Sequence, residues 1–275
     1  MEQAQSIEDL EIDLLLEGVF QLSGHDFRGY RRGLLARKLH ALMQAAKLNS
    51  VSMLQDRVLH DPHMLETLLR MLGAKTAGLF DDPAHFLALR EALGPWLRSC
   101  PSPKVWIAEC TSAEDIATLA ILLAEEGVYD KTQVFATAAN EGLLEEASRG
   151  ILAAERIREY EDNYRRSGGK HALADYCRED KGHIVLLPRM LSNITWAQYS
   201  LATNASFNEF ELIVCRGTLG EFGAPLRRRT LQLFHESLPV FGMLSVDQAN
   251  EMACEPFASR YKSICANQGL YRRMA

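Results

Sequence analysis

The chain has 275 residues, which is enough for one large domain or two modest ones. Hydrophobic residues make up 47% and charged residues 24%, an ordinary globular composition, and the net charge of −6 argues against a nucleic-acid partner. No apolar run approaches the roughly 18 residues needed to cross a bilayer, so we expect no insertion into a membrane. The N-terminal segment is acidic and lacks the basic region of a signal peptide, and the six cysteines form no CxxC pair, so we expect a cytoplasmic location.

The first part of the chain predicts helices throughout. Apolar residues recur at helical spacing around Leu10 and again around Leu35. Asp-Pro pairs at 61–62 and 82–83 mark the starts of two further helices. Residues 1–98 are therefore predicted to form a small helical N-terminal domain, which a turn-rich hinge follows.

Strands and helices alternate after this hinge. The candidate strands cover 105–108, 133–137, 184–187, 210–215 and a segment near 240–246, and the candidate helices cover 113–126, 140–149, 153–166 and 225–237. Such alternation predicts a parallel, doubly wound sheet, so residues 99–275 are predicted to form one α/β domain. A long polar section predicts an edge hairpin or a small inserted subdomain at about 167–207.

The stretch from 105 to 123 has the pattern of a nucleotide-binding strand, turn and helix. After a short apolar run, Ser112 is placed to cap a helix that has Glu114 in its first turn. Loop glycines let the backbone approach a bound ligand closely, but Glu109 and Ala113 stand where such a loop would have Gly. The sequence thus predicts the scaffold of a cofactor site without its glycines.

The order of these segments resembles the CheR chemotaxis receptor methyltransferases. The resemblance spans the chain from about Leu10 to Arg273, and the segments that carry it include GHDFRGYRRGLLARKLHALM, LFDDPAHFLALREAL, VWIAECTSAEDIATLAILLAEEG and FNEFELIVCRGTLGEF. Members of that family methylate glutamate side chains of chemoreceptors. The resemblance implies an α/β protein with a small helical N-terminal domain and a Rossmann-like doubly wound methyltransferase domain, which binds S-adenosylmethionine and carries a small inserted β-subdomain.

Several positions depart from the family pattern where the resemblance implies cofactor contacts. Ala77 and Asp81 stand at the places of a Thr and an Arg that help to hold the cofactor, and Ala138 stands at the place of an Asp that holds the ribose hydroxyls. The resemblance thus gives a degenerate set of pocket positions: Ala77, Asp81, Glu109, Ala113, Glu114, Ala138, Ser200, Leu201 and Gly217.

These departures predict the loss of cofactor binding. A charged hydrogen bond to a ribose diol contributes about 1.5–3 kcal/mol, which Ala138 cannot supply. Glu109 adds bulk and negative charge near the methionine carboxylate. Asp81 inverts a charge that would pair with that carboxylate, and such a pair is worth roughly 4 kcal/mol at contact distance. We therefore expect no S-adenosylmethionine, no catalytic residue and no other cofactor.

One N-terminal helix is predicted to carry a basic face, which forms the candidate partner-binding surface: Arg28, Arg31, Arg32, Arg37 and Lys38. The resemblance implies that a basic helix here meets the acidic helices of a receptor, which electrostatic steering favours. A solvated helix face is the alternative. His60 and His63 have a spacing that suits a metal, but no third ligand is evident, so no metal site is predicted.

The preferred prediction is a CheR-like protein of chemosensory signalling that has lost methyl transfer. It would act as a non-catalytic binding or regulatory protein, with a chemoreceptor or a related signalling protein as its partner. One alternative is an active S-adenosylmethionine-dependent protein-glutamate O-methyltransferase of chemoreceptors. Another is a pocket that binds a different small ligand.

Overall fold

The computed structural model describes residues 6–75, 78–247, 252, 255–265 and 268–275. The chain forms two compact units, which are residues 1–74 with 221–229 and residues 75–220 with 230–275. No helix in the described ranges is both long and apolar enough to span a membrane.

The first unit is helical. Its elements are α1 (Ile7–Ser23), α2 (Arg32–Ala46), α3 (Val51–His60) and α4 (Pro62–Gly73). Ser50 and Asp61 cap α3 and α4, because their side chains accept hydrogen bonds from backbone N–H groups of the first turn. The helices bury a shared apolar core that includes Leu15, Leu39 and Leu54. The segment at 221–229 joins this unit through a bridge between Tyr30 and Phe222.

The second unit alternates strands and helices. Its helices are α5 (Pro83–Ser99), α6 (Ala113–Glu125), α7 (Glu141–Ser148), α8 (Ile157–Arg166) and α9 (Ala224–Glu236), the last belonging to this unit from residue 230. Its strands are β1 (Lys104–Ala108), β2 (Gln133–Ala138), β3 (Ile151–Leu152), β4 (Cys177–Asp180), β5 (His183–Leu186), β6 (Ile194–Gln198), β7 (Leu212–Cys215), β8 (Met243–Val246), β9 (Tyr261–Cys265) and β10 (Leu270–Arg273).

Within the described residues the main sheet has the order β6-β2-β1-β7-β8-β10-β9. The strands β6, β2, β1, β7 and β8 pair in parallel, and β10 runs antiparallel to both β8 and β9. The chain leaves β1 for β2 on one side and later returns to β7 on the other side. The strand order therefore reverses between β1 and β7, where doubly wound folds bind their ligands. The predicted Rossmann-like fold class is confirmed.

A second sheet has the order β3-β5-β4 and is antiparallel, which confirms the predicted small β-subdomain. The candidate strand at 184–187 lies within the predicted insert and belongs to this small sheet as β5. The second apolar segment of the insert forms β6, which pairs with β2 in the main sheet. Both segments are short, apolar and only partly buried, so their composition does not show which sheet each one joins.

Helix α5 packs in the second unit. Leu89, Leu93 and Leu97 are fully buried in the same apolar cluster as Val105 of β1 and Ile121 of α6. The boundary between the compact units thus lies between residues 74 and 75, while the division into domains at 98 and 99, with an insert at about 167–207, stays a prediction.

Candidate functional site

A cleft opens at the point where the strand order reverses. Ile107 near the end of β1 and Val214 near the end of β7 are among its lining residues. About 590 Å³ of space free of protein atoms lies in the cleft, including open solvent at its mouth. Charged side chains dominate its polar lining: Lys75, Asp81, Asp115, Arg216 and Asp247.

Lys75 is the most enclosed of these charges. Its side chain is 7% exposed, its Nζ lies 3.2 Å from Oδ2 of Asp115, and it donates a hydrogen bond of 2.7 Å to the carbonyl of Arg216. Burial acts to lower the pKa of Lys75, but Asp115 and the thiols of Cys215 and Cys110 outweigh it and hold that pKa above its usual range. Lys75 is therefore a fixed cation beside the ends of β1 and β7.

Asp115 owes its position to the start of α6. Ser112 caps this helix, since its Oγ accepts a hydrogen bond from the N–H of Asp115 at 3.3 Å. Oδ2 of Asp115 also accepts from the N–H of Thr111 at 3.4 Å. The positive end of the helix dipole favours a carboxylate in the first turn, where Asp115 lies opposite Lys75.

Arg216 directly follows β7. Its Nη1 donates to the carbonyl of Val246 at 3.2 Å, its Nη2 lies 3.5 Å from Oδ2 of Asp82, and its guanidinium lies 5.4 Å from the ring centre of Phe86. Oδ1 of Asp247 is 3.9 Å from Nε of Arg216, and this buried Nε has no hydrogen-bond partner among the described groups. The guanidinium of Arg216 is therefore held between the carbonyl of Val246 and the carboxylates of Asp82 and Asp247.

Asp81 and Gly217 complete the charged part of the cleft. Asp81 lies at the exposed mouth, yet the protein atoms around its carboxyl raise its pKa by desolvation, against the lowering effect of Arg216. Gly217 has a φ of 75°, in the left-handed region, and its N–H donates to Oδ2 of Asp247 at 2.7 Å. A Cβ at Gly217 would lie 3.0 Å from Cδ of Lys75, so the lysine fills the space that a side chain here would need.

Of the pocket positions predicted from the sequence, the structure places Asp81 and Gly217 in the cleft. Ala77 lies outside the described residues. The lining does not include the others that the structure describes: Glu109, Ala113, Glu114, Ala138, Ser200 and Leu201.

The side chains of Glu114 and Glu109 bond within the protein. Oε1 of Glu114 accepts from the hydroxyl of Tyr160 at 2.8 Å and from the N–H of Ala153 at 3.3 Å. Oε2 of Glu109 lies 3.4 Å from the N–H of Ala139. Burial raises the pKa of Glu109 to about 7, although this N–H and the charge of Lys75 act to lower it.

Sequence reasoning did not identify Lys75, Asp115, Arg216 and Asp247 as site residues. A signal existed for the first three, because they lie in the stretches at 75–83, 108–115 and 215–217 that were compared with the family pattern. Asp247 follows β8 and belongs to no motif, so the sequence offered no signal for it.

The predicted basic surface is largely paired within the first unit. Arg28 forms ion pairs with Glu17 at 2.7 Å and with Asp26 at 2.9 Å. Arg32, which begins α2, pairs with Asp13, and Lys38 lies 3.0 Å from Glu221. Arg28 and Arg31 precede α2, so the prediction that one helix carries all five basic residues is wrong. Arg31 is exposed, as is Arg37 on α2. Among the described residues no group of three or more His, Cys, Asp or Glu side chains is arranged to hold a metal ion.

Residues 75–264 match the sequence family described as "CheR methyltransferase, SAM binding domain", and residues 10–72 match "CheR methyltransferase, all-alpha domain". The chain belongs to the CheR methyltransferase family. A protein of Pseudomonas putida named "Putative methyltransferase Cher3" is 40% identical over 266 residues, which cover 96% of this chain and 97% of that one. A "Chemotaxis protein methyltransferase" of Listeria monocytogenes is 23% identical over 250 residues, which cover 90% of this chain and 92% of that one.

Among solved structures, a SAM-dependent methyltransferase from Geobacter sulfurreducens in complex with S-adenosyl-L-homocysteine is similar to 63% of this chain. The similarity covers 51% of that protein at 12% identity, with a TM-score of 0.34.

Two predictions from the sequence are therefore wrong, namely the loss of methyl transfer and the absence of S-adenosylmethionine. The match of residues 75–264 to the SAM-binding domain of a CheR methyltransferase overturns both. The charge inverted at Asp81 is accompanied in the same cleft by two cations, Lys75 and Arg216. The side chain of Glu109 does not line this cleft and lies against the N–H of Ala139, so the obstruction expected from Glu109 stays a prediction.

Proposed function

We propose that this CheR family member transfers a methyl group from S-adenosylmethionine to a glutamate side chain of a chemosensory receptor. The observation that carries the proposal is the cleft between β1 and β7, with two cations and three carboxylates in its lining. The substrate class follows the relative named a chemotaxis protein methyltransferase.

The cleft fits the charges of S-adenosylmethionine, which has a carboxylate, an ammonium and a sulfonium. Lys75 and Arg216, the two cations of the cleft lining, would hold the carboxylate. Asp81, Asp115 and Asp247 would face the ammonium and the sulfonium. Thr111, in the loop that leads to α6, has a buried Oγ1 without a hydrogen-bond partner among the described groups.

The altered motif positions are compatible with this function when they are considered together. We propose that Lys75 supplies the positive charge that Asp81 does not, while Gly217 leaves room for the stem of the lysine. A buried cation held by Asp115 needs no rearrangement before it meets a carboxylate, and preorganised charges of this kind bind more strongly than mobile surface charges.

The reaction requires little acid–base chemistry from the protein. When bound, S-adenosylmethionine supplies an electrophilic methyl group, and the acceptor glutamate is already ionised near neutral pH. The chain's own residues therefore need to bind, orient and shield the reactants rather than to move a proton. Holding two reactants in a productive arrangement can lower the barrier by roughly 7–11 kcal/mol.

The acceptor protein is proposed to approach the basic residues around the start of α2. Arg28, Arg32 and Lys38 already have acidic partners in the chain, so exposed Arg37 is the better candidate for an acidic receptor helix. Arg37→Glu should raise the concentration of receptor fragment required for half-maximal methylation, while the affinity for S-adenosylhomocysteine stays unchanged.

Transfer of a labelled methyl group tests the function itself. The full chain is incubated with methyl-labelled S-adenosylmethionine and the cytoplasmic fragment of a chemoreceptor from the same organism, and volatile methanol is measured after alkaline hydrolysis. We expect methanol release that depends on the chain and on receptor glutamates. A result at background level with every receptor fragment of the organism would contradict the proposal.

A further inference from the structure

The end of β2 lacks the acidic group that a nucleoside usually meets in a doubly wound fold. In such folds a carboxylate that follows the second strand accepts hydrogen bonds from the ribose hydroxyls. Here β2 ends in Thr137 and Ala138, and Ala139 and Asn140 follow. The side chain of Asn140 is used to cap α7, since its Oδ1 accepts from the N–H of Leu143 at 3.0 Å.

Glu109, which directly follows the neighbouring strand β1, places a carboxylate beside the end of β2. β1 and β2 pair in parallel, with Ala108 opposite Thr137, and the N–H of Cys110 donates to the carbonyl of Thr137 at 2.7 Å. Glu109 is the residue between these two contacts. Its Oε2 reaches the N–H of Ala139, the first residue after β2.

Glu109 has a strained backbone conformation and a buried carboxyl with little hydrogen bonding. Its φ is 55°, in the left-handed region where non-glycine residues are strained by roughly 1–3 kcal/mol. The residue is 8% exposed, so its carboxyl is largely removed from water. The single hydrogen bond described to this carboxyl is a long one of 3.4 Å, weak compensation for the burial of a carboxylate that can accept several donors.

We propose that Glu109 accepts hydrogen bonds from the ribose hydroxyls of the methyl donor and so replaces the carboxylate that β2 does not supply. The inference rests on the proposed function. The cleft lies over β7 and β1, whereas Glu109 lies between the ends of β1 and β2. A donor whose amino-acid end occupies the cleft would thus extend across β1, and its nucleoside would meet Glu109.

The charge state of Glu109 gives this inference a pH signature. Among the described residues, the charge of Lys75 acts on Glu109, and the charges of Lys75 and Asp115 act on its neighbour Cys110. With its pKa raised to about 7, the free carboxyl is partly protonated at neutral pH, and hydroxyl donors bind the ionised form. The affinity for the donor should therefore rise as the pH increases through 7.

The test is a thermodynamic double cycle, in which one residue of the protein and one hydroxyl of the ligand are changed separately and together. Dissociation constants of S-adenosylhomocysteine and of its 2′-deoxyadenosyl analogue are measured by calorimetry on the full chain, on Glu109→Gln and on the matched control Glu145→Gln, an exposed glutamate of α7. The wild type and the control should lose about tenfold or more in affinity for the deoxy analogue. Glu109→Gln should bind S-adenosylhomocysteine at least about tenfold more weakly and discriminate less than about threefold between the two ligands.

Two results would overturn the inference. One is a wild type that binds both ligands equally, a result that does not depend on whether the variant folds. The other is a Glu109→Gln variant with the discrimination of the wild type. If the wild type bound neither ligand, the proposed function would fail as well, whereas the first two results leave that function intact.

Discussion

The Nζ of Lys75 lies 3.2 Å from Oδ2 of Asp115, and the two side chains are 7% and 15% exposed. The lysine comes from the segment before α5 and the aspartate from the first turn of α6. Together they place a fixed pair of opposite charges beside the ends of β1 and β7. Because Arg216 adds a second cation, the cleft presents both signs of charge to a zwitterionic amino acid.

Removal of the Lys75 charge should weaken binding of the donor. In Lys75→Met we expect the dissociation constant of S-adenosylhomocysteine to rise about 10- to 100-fold, since a charged hydrogen bond contributes about 1.5–3 kcal/mol. Lys262→Met, at an exposed position of β9, is the control and should bind as the wild type does. Calorimetry measures both variants. Unchanged affinity in Lys75→Met would remove this lysine from the site.

A side chain at Gly217 should destabilise the fold. Gly217→Ala forces a non-glycine residue to φ 75° and places its Cβ 3.0 Å from Cδ of Lys75. We expect a loss of about 1–2 kcal/mol in the free energy of unfolding by urea. Gly220→Ala, where a Cβ meets no atom within 4 Å, should change it by less than about 0.5 kcal/mol. Equal losses in the two variants would show that neither the left-handed conformation at Gly217 nor the contact with Lys75 affects the free energy of unfolding.

His85 should make the second unit sensitive to acid. The ring is fully buried, Nε2 bonds to Oγ of Ser245 at 2.7 Å, and burial together with Arg216 lowers the pKa of His85 from 6.5 to about 4. Between these two pH values the unfolded chain binds a proton that the folded chain does not. The stabilising contribution of the neutral ring is therefore complete above pH 6.5 and is lost as the pH falls towards 4.

Urea unfolding at two pH values measures this effect. Between about pH 7.5 and about pH 5, His85 should account for a loss of about 2 kcal/mol in the free energy of unfolding. His85→Gln should be less stable than the wild type at the higher pH but should show a smaller decrease on acidification. His183→Gln, at an exposed position, should show the decrease of the wild type. The same pH dependence in all three proteins would contradict the assignment of this loss of stability to His85.

We expect Arg90 to stabilise the buried carboxylate of Glu125. Its Nη1 lies 2.6 Å from Oε2 of Glu125, and the side chains are 6% and 0% exposed. Burial acts to raise the pKa of Glu125, but hydrogen bonds from Tyr164 and from the N–H of Lys170, with the charge of Arg90, outweigh it and lower that pKa. Arg90→Met removes the cation that is paired with this buried carboxylate and should cost about 3–5 kcal/mol of unfolding free energy.

An exposed ion pair serves as the control for Arg90. Arg165 lies 2.9 Å from Asp162, and the two side chains are 74% and 66% exposed. Because water screens such a pair, Arg165→Met should cost less than about 1 kcal/mol in the same urea titration. Comparable costs for the two variants would mean that the buried position of Arg90 does not matter.

The local features of the fold could be predicted from the sequence. Ser112 and the apolar face behind it fix the start of α6, and the Asp-Pro pair at 82–83 fixes the start of α5. The choice between sheets could not be predicted, because β5 and β6 are similar short segments and their partners are distant in the chain. Long-range pairing, rather than local preference, decides this part of the topology.

The site was harder to predict, because its charges come from four separate segments. Lys75, Asp115, Arg216 and Asp247 meet only after the strands are ordered. Single positions such as Asp81 could be compared with a family pattern, but a compensating charge from another segment could not be located that way. The net charge of a cleft depends on all the groups that face it, so counting only lost groups led to the wrong expectation of a lost cofactor.

The most direct test of the central claim, that this cleft binds the methyl donor, is calorimetric titration of the full chain with S-adenosylhomocysteine. We predict one site per chain with a dissociation constant in the micromolar range, which corresponds to about −8 kcal/mol. We also predict that Lys75→Met lowers this affinity while Lys262→Met does not. No detectable binding of S-adenosylhomocysteine or S-adenosylmethionine at millimolar concentration would contradict the account.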